Sequence, residues 1–314
     1  MSEGNPDTLV RRGAELLSDF RNLEALEYLE RALDLDSKSP GGWVLFGRAC
    51  LRTGRHDDGL YAYEKAIALD PTSPDAWSGR GEALALMDRG MEALASLDKA
   101  LGIEPGHAPA WCVKANALAV LRRYQEAIEC ADRALRLQPG LGQAWLVKSA
   151  ILNKLKRHAD ALRCAETALA ADPRNPAATM AKGECLQFLG RWQESIPYYD
   201  HLLAEDPHRK TAWLGKGQAL LMLDANESAI ECYDQTLAID DEDRQAWSER
   251  AMAFSKLERW VDAIESAERA LALDPEDASA MTTKGIALWN LGRQKEAESL
   301  FKTAERRSKE KGDD

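Results

Sequence analysis

Trp43, Trp77, Trp111 and Trp145 stand 34 residues apart, and the same step leads on to Trp213 and Trp247. A fixed period of this length means a chain of like units, each packing on its neighbours, so 314 residues need not enclose one large core. Setting the frame on the tryptophans gives nine units that start at residues 6, 40, 74, 108, 142, 176, 210, 244 and 278 and close at 311 without an insertion or deletion. Residues 1–5 and 312–314 are short tails.

Counting from the first residue of each unit, Trp holds position 4. A small residue holds position 8 (Gly13, Gly47, Gly81, Ala115, Ser149, Gly183, Gly217, Ala251, Gly285), another holds position 20, and position 27 is usually Ala. Positions 4, 8 and 11 form one face of a first helix, and 20, 24, 27 and 28 one face of a second. Small residues let the two helices approach closely, with large ones filling the space beside them. Between units the chain reads DPTSPD, EPGHAP, DPRNPA or DPEDAS, where Pro ends one helix and suits the first turn of the next. Each unit is therefore a helical hairpin with antiparallel arms.

In this form the chain resembles the tetratricopeptide repeat family. In DAWSGRGEALALMDRGMEALASLDKALGIEP, Trp77, Gly81, Ala83, Ala93, Ala100 and Pro105 stand at the positions that carry the likeness. The resemblance covers residues 6–311 and implies an all-α, right-handed superhelical solenoid whose first helices line a concave surface used to grip peptides, helices or folded partners. It departs from the subtype in that family that clamps a carboxylate, since position 6 reads Arg11, Leu45, Gly79, Val113, Val147, Ala181, Gly215, Glu249 and Thr283.

The ends differ from the middle. Position 10 is Glu15 in the first unit where the others are apolar, and position 28 turns from Leu or Ile to Glu305 in the last. Both changes suit faces with no neighbour, so the array reads as capped and complete, with no segment left for a catalytic domain. The sixth unit is irregular: Thr179 replaces Trp, Leu202 replaces Ala, Glu205 replaces an apolar residue, and Pro197 falls inside the second helix, where it should bend it.

A net charge of −11 argues against sequence-independent binding of nucleic acid. No apolar run of 18 residues and no secretory leader are present, which implies a cytoplasmic chain without membrane attachment. The six cysteines lack C-x-x-C spacing and have no His at ligand distance, so they read as reduced structural thiols, with neither metal nor cofactor expected. No phosphate-cradling loop, nucleophile elbow or H-E-x-x-H occurs, and no catalytic residues are assigned.

Two rows remain for a partner. Position 7 is basic in eight units (Arg12, Arg80, Lys114, Lys148, Lys182, Lys216, Arg250, Lys284). It is either a ladder for an acidic partner or a seam in which each stem packs and its head pairs with a carboxylate, such as the Asp at position 31 of the preceding unit. The seam is preferred, because the cation follows the repeat even where partner contacts should vary.

The remaining face of the first helix leaves positions 2, 5, 9, 12 and 13 free. From it come the candidate partner-binding residues Arg48, Asn116, Leu146, Asn153, Met180, Glu184, Gln187 and Gln218. The uncharged residues at positions 5 and 12 form either a groove floor or packing between first helices. The expected function is a non-catalytic scaffold or adaptor for a protein or peptide, monomeric or self-associating. The alternative is a self-assembling structural repeat protein.

Overall fold

The computed structural model describes residues 5–312, with side chains described to residue 307. Eighteen helices occupy the described residues, two to each 34-residue unit, with no strand among them. They fall into two compact units, residues 1–172 and 173–314. The first holds α1 (Pro6–Ser18), α2 (Asn22–Leu35), α3 (Pro40–Arg52), α4 (His56–Leu69), α5 (Pro74–Leu86), α6 (Gly90–Ile103), α7 (Ala108–Val120), α8 (Tyr124–Leu137), α9 (Gly142–Lys154) and α10 (His158–Ala171). The second holds α11 (Pro176–Phe188), α12 (Trp192–Glu205), α13 (Lys210–Met222), α14 (Asn226–Ile239), α15 (Arg244–Lys256), α16 (Trp260–Leu273), α17 (Ala278–Asn290) and α18 (Gln294–Gly312).

First helices begin where the sequence supplies a cap. The side chains of Asn5, Ser39, Ser73, Asn175, Asp243 and Asp277 accept backbone N–H groups of the following turn, and in α1, α3, α5 and α11 Pro follows the cap. His107 caps α7 through Nδ1, 3.1 Å from the Ala110 nitrogen. The Asp at position 31 closes the preceding turn: Asp36, Asp70, Asp206, Asp240 and Asp274 each accept the N–H two residues on, and Asp206, Asp240 and Asp274 also pair with Arg209, Lys210 and Arg244 rather than with a position 7 cation.

The Trp at position 4 braces this turn. The indole N–H of Trp43, Trp77, Trp111, Trp145, Trp213 and Trp247 donates to the carbonyl six residues earlier at 2.8–3.0 Å. Within a hairpin the two helices are joined through position 15, which is left-handed in all nine repeats, with φ from +57° to +79°. Beyond it, an Arg at position 16 pairs with an acid at position 19 in every repeat but the seventh, which has Ala225 and Ser228.

The core obeys a size rule inside each hairpin. Gly at position 8 faces a large residue at position 24: Gly13 with Leu29, Gly47 with Tyr63, Gly81 with Leu97, Gly183 with Tyr199, Gly217 with Tyr233 and Gly285 with Phe301. A Cβ at these glycines would lie 2.5–3.0 Å from the facing side chain. Where position 8 is Ala or Ser, in repeats four, five and eight, position 24 is Ala131, Ala165 and Ala267. A large residue at position 24 is thus admitted only where position 8 carries no Cβ, as close packing requires.

One expectation is corrected. The cations at position 7 do lie in the seam, but their acids are at position 25 of the preceding repeat: Arg80–Glu64, Lys114–Asp98, Lys148–Asp132, Lys216–Asp200, Arg250–Asp234 and Lys284–Glu268 meet at 2.6–3.3 Å. Several of these cations also sit over the Trp of their own repeat, as Lys114 does 5.5 Å from the Trp111 ring. Pro197 lies within α12, which keeps the 14 residues of its counterparts. Its first turn is tightened by a bond from the Glu194 nitrogen to the Arg191 carbonyl.

Candidate protein-binding groove

Within each unit, first helices touch the next first helices, whereas among the described residues second helices touch only first helices. The first-helix layer is thus the tighter one, and its free face is the inner face of the stack. The residues that reach this face differ from those the periodicity suggested.

Position 12 is mostly closed, with Trp289 of α17 as its exposed member. Leu17, Leu51, Ala85, Leu221 and Gln187 are all buried. Gln187 donates its side-chain N–H to the Gly215 carbonyl at 2.6 Å, so it joins α11 to α13 and is not presented to a partner. A residue at this position points toward the following first helix, which the helical-face count placed one step too far around.

Position 5 is largely packed as well. Val44, Ser78, Cys112 and Ser248 are buried, while Leu146 is half-buried. Met180 is also half-buried, lying against the cluster of Tyr199, Leu202, Leu203 and Ala212. Asn153 meets His158 Nδ1 at 3.1 Å. Position 9 is the open row: Arg48, Asn116 and Glu184 are exposed, and Gln218 is half-buried. Glu82, at the same position in the third repeat, is exposed with them.

In the first unit Arg48 and Glu82 of this row line a groove of about 390 Å³ across α3, α5 and α7. Arg48 and Arg52 come from α3. Asp75, Ser78, Glu82 and Leu86 come from α5, while Pro109, Cys112 and Val113 come from α7. A second-helix residue also reaches it: Tyr63 of α4 extends between α3 and α5 to the groove. It can do so because Gly79 leaves room, a Cβ there falling 2.1 Å from the Tyr63 ring. The periodicity assigned Tyr63 wholly to the core and so missed it. The signal was Gly79, standing where most repeats carry a larger residue.

The charges at this groove are not equivalent. Asp75 lies 3.4 Å from His107 Nε2, and that hydrogen bond holds its carboxyl below the usual range. Arg52 donates to the Leu17 carbonyl at 2.6 Å, where the end of α1 favours a cation. Glu82 has surface open to the groove, yet protein surrounds it closely enough that desolvation pushes its carboxyl upward, against the pull of Arg48 and Arg52. Among the described residues Glu82 makes no salt bridge or hydrogen bond, and neither do the side-chain hydroxyls of Tyr63 and Ser78.

The second unit handles a similar carboxylate otherwise. Glu249 Oε1 accepts from Gln218 and from Gln245, each at 2.9 Å. The Tyr233 hydroxyl lies against Glu249, close enough to favour its charge but outside hydrogen-bond geometry. Burial still leaves the Glu249 carboxyl raised.

The six cysteines are buried and unbridged, and burial raises Cys50 and Cys232 to about 11 and Cys112 to about 12, which keeps them protonated and unreactive. Among the described residues there is no group of three or more metal-ligating side chains and no helix long and apolar enough to cross a membrane.

Comparison with known proteins agrees with the fold. The structure is similar to the Cut9 and Hcn1 hetero-tetramer of the APC/C, with a TM-score of 0.77 at 20% identity over 90% of this chain and 55% of that one. The chain therefore spans about half the length of that relative. Weaker likenesses are to MamA (TM-score 0.47, 21% identity, 53% of this chain and 97% of that one) and to YrrB, described as a TPR protein with an unusual peptide-binding site (TM-score 0.46, 24% identity, 60% and 96%). No curated protein matches the sequence. Models described as tetratricopeptide repeat or TPR repeat match residues 47–88, 108–141, 154–187, 189–253 and 248–311. With its 34-residue helical hairpins and these matches, the chain belongs to the tetratricopeptide repeat family, whose arrays serve as protein-interaction scaffolds.

Proposed function

We propose that the protein is a non-catalytic scaffold that holds an extended segment of a partner protein along its first-helix face, with the groove of the first unit as the principal seat. The observation that carries this reading is the pairing state of the polar groups. The cations of the seam are matched with carboxylates, whereas Arg48 and Glu82 stand unmatched over a floor of Tyr63, Ser78 and Cys112. Unpaired polar groups beside apolar surface are what an extended peptide needs, since its main chain brings donors and acceptors and its side chains bring apolar area. Among the sequence candidates, Arg48, Asn116 and Glu184 keep this role. Leu146, Asn153, Met180 and Gln218 stand at its edge, and Gln187 leaves the set.

A photo-crosslinking residue placed at Asn116 should capture the partner, and one at Glu129 on α8 should not. Capture from Glu129 with none from Asn116 would place the interface on the second helices and sink the proposal. Self-assembly is a second reading, favoured by Ile286 and Trp289 of α17, which are 40% and 46% exposed. Light scattering over a range of concentrations separates the two: a constant monomer mass removes self-assembly.

A further inference from the structure

The groove in the first unit carries a charge order that constrains what enters it. Position 9 reads Arg48, Glu82 and Asn116 on α3, α5 and α7: a cation, an anion and a neutral amide on successive helices. Adjacent packed helices lie about 8–10 Å apart, a distance that an extended chain covers in about three residues at about 3.3 Å each.

Glu82 is the informative member. Its neighbours do not neutralise it: Arg52 is held by the Leu17 carbonyl, Arg48 acts on it only through space, and Asp75, which could compete for a cation, is engaged by His107. Beside it lie two hydroxyls that make no hydrogen bond, from Ser78, 5% exposed, and Tyr63, 2% exposed and lining the groove. The Tyr63 hydroxyl differs from those of Tyr199 and Tyr233, which are buried without a partner: its ring is nearly buried but delivers the oxygen to the groove, where it is open to a ligand. Leu86, Pro109, Cys112 and Val113 supply an apolar wall beside the carboxylate.

Resting on the scaffold reading above, we propose that Glu82, Tyr63 and Ser78 form a subsite for a lysine or arginine side chain of the partner, with an acidic residue about three positions away taken by Arg48. The ammonium or guanidinium group donates to the Glu82 carboxylate and to the two hydroxyl oxygens, and its aliphatic stem lies along the apolar wall. Neither charge of the partner would be buried unpaired. A partner with the charges in the reverse order would set like charges against Arg48 and Glu82, so the subsite fixes the direction of the bound segment as well as its composition.

The test is selection from a phage library of random 12-residue peptides on the full chain and on its Glu82→Gln variant. Wild type should enrich peptides with a basic and an acidic residue about three positions apart, and Glu82→Gln should lose the basic preference without any fall in melting temperature. A synthetic peptide from the selection should bind Glu82→Gln at least tenfold more weakly. Replacing its basic residue by norleucine should cost the same on wild type and little more on the variant. Tyr63→Phe should weaken the same peptide without loss of folding.

Peptides that bind wild type and Glu82→Gln alike would overturn the subsite and leave the scaffold reading intact. No enrichment on wild type would overturn both. A lowered melting temperature for Glu82→Gln would show that Arg48 and Glu82 serve each other, which also overturns the proposal.

Discussion

Tyr63 and Tyr233 occupy the same position in repeats two and seven, and the two units use them in opposite ways. Each ring fills the notch left by a glycine of its own first helix, Gly47 or Gly217. The next first helix then differs. Facing Tyr63 it offers Gly79, so the ring passes through and its hydroxyl reaches a groove beside the unmatched Glu82. Facing Tyr233 it offers Glu249, whose carboxylate is held by Gln218 and Gln245. The first unit brings its unmatched groups to an open groove, whereas the second encloses its own, with one Glu249 oxygen held by two amides and the Tyr233 hydroxyl buried without a partner. The same contrast appears at position 13, where Lys256 meets both the Leu221 carbonyl and Asp224, while Arg52 has the Leu17 carbonyl and no carboxylate.

The most damaging way to test what the units share is Trp145→Ala. It removes a large half-buried ring, the brace to the Pro139 carbonyl and the face under Lys148. The expected cost is about 3–5 kcal/mol, as for other large-to-small changes. Hydrogen exchange should show the loss concentrated in α7–α10, with α1–α4 little affected. Equal loosening of α1–α4 would contradict nearest-neighbour packing.

Gly79→Glu imposes the arrangement of the second unit on the first. Its Cβ would fall 2.1 Å from the Tyr63 ring. Overpacking of this kind costs about 1–3 kcal/mol, and the new carboxylate lacks the two glutamines that hold Glu249. The converse change, Glu249→Gly, should cost less, because it opens space instead of filling it. Chemical denaturation of the two variants decides the order, and a tolerated Gly79→Glu would break the comparison.

Glu82 and Glu249 also predict a pH dependence of a definite sign. Both carboxyls are raised in the folded protein, chiefly by desolvation. The folded state therefore holds protons that the unfolded state has released, and stability falls as pH rises from the ordinary carboxylate value through the raised one. Gln at either site removes that contribution, so each variant should melt higher than wild type at neutral pH and lose the advantage in acid. The gain should be larger at Glu82, because Glu249→Gln gives up an acceptor shared by two glutamines. Melting curves at several pH values would refute this if Glu82→Gln melted lower at pH 7.

The architecture was legible because it rests on residues that recur: Trp at position 4, Gly or Ala at position 8, and the proline turns repeat at a spacing any reader of the sequence can measure. The groove was less legible because it depends on single departures from the repeat. A helical-face count cannot separate position 12 from position 9 finely enough to see that Gln187 turns toward Gly215 while Glu82 turns to solvent. It also gives no reason for a core tyrosine to reach the opposite face. Only the pairing of Tyr63 with Gly79, residues of different repeats, shows that path. The partners of the position 7 cations escaped for a similar reason, since Asp at position 31 is the more regular acid but is used by its own turn.

The smallest effect concerns the hairpin turns, where the units again differ. Position 15 is left-handed in every repeat, but only Gly54 among five in the first unit is glycine, against Gly190 and Gly292 among four in the second. Arg122 holds φ +59°. A non-glycine residue pays about 1–2 kcal/mol in this region through the clash of its Cβ, although glycine recovers part of that by making the unfolded chain more flexible. Arg122→Gly should therefore stabilise the first unit by about 0.5–1 kcal/mol, the balance of these terms. Asp88 has φ +57°, but aspartate tolerates this conformation through local hydrogen bonding, so Asp88→Gly should change little. Gly54→Ala should destabilise by about 1 kcal/mol, because it introduces the clash without that compensation. A denaturation series of the three variants that ranked Asp88→Gly above Arg122→Gly would show that local hydrogen bonding does not set the tolerance of these turns.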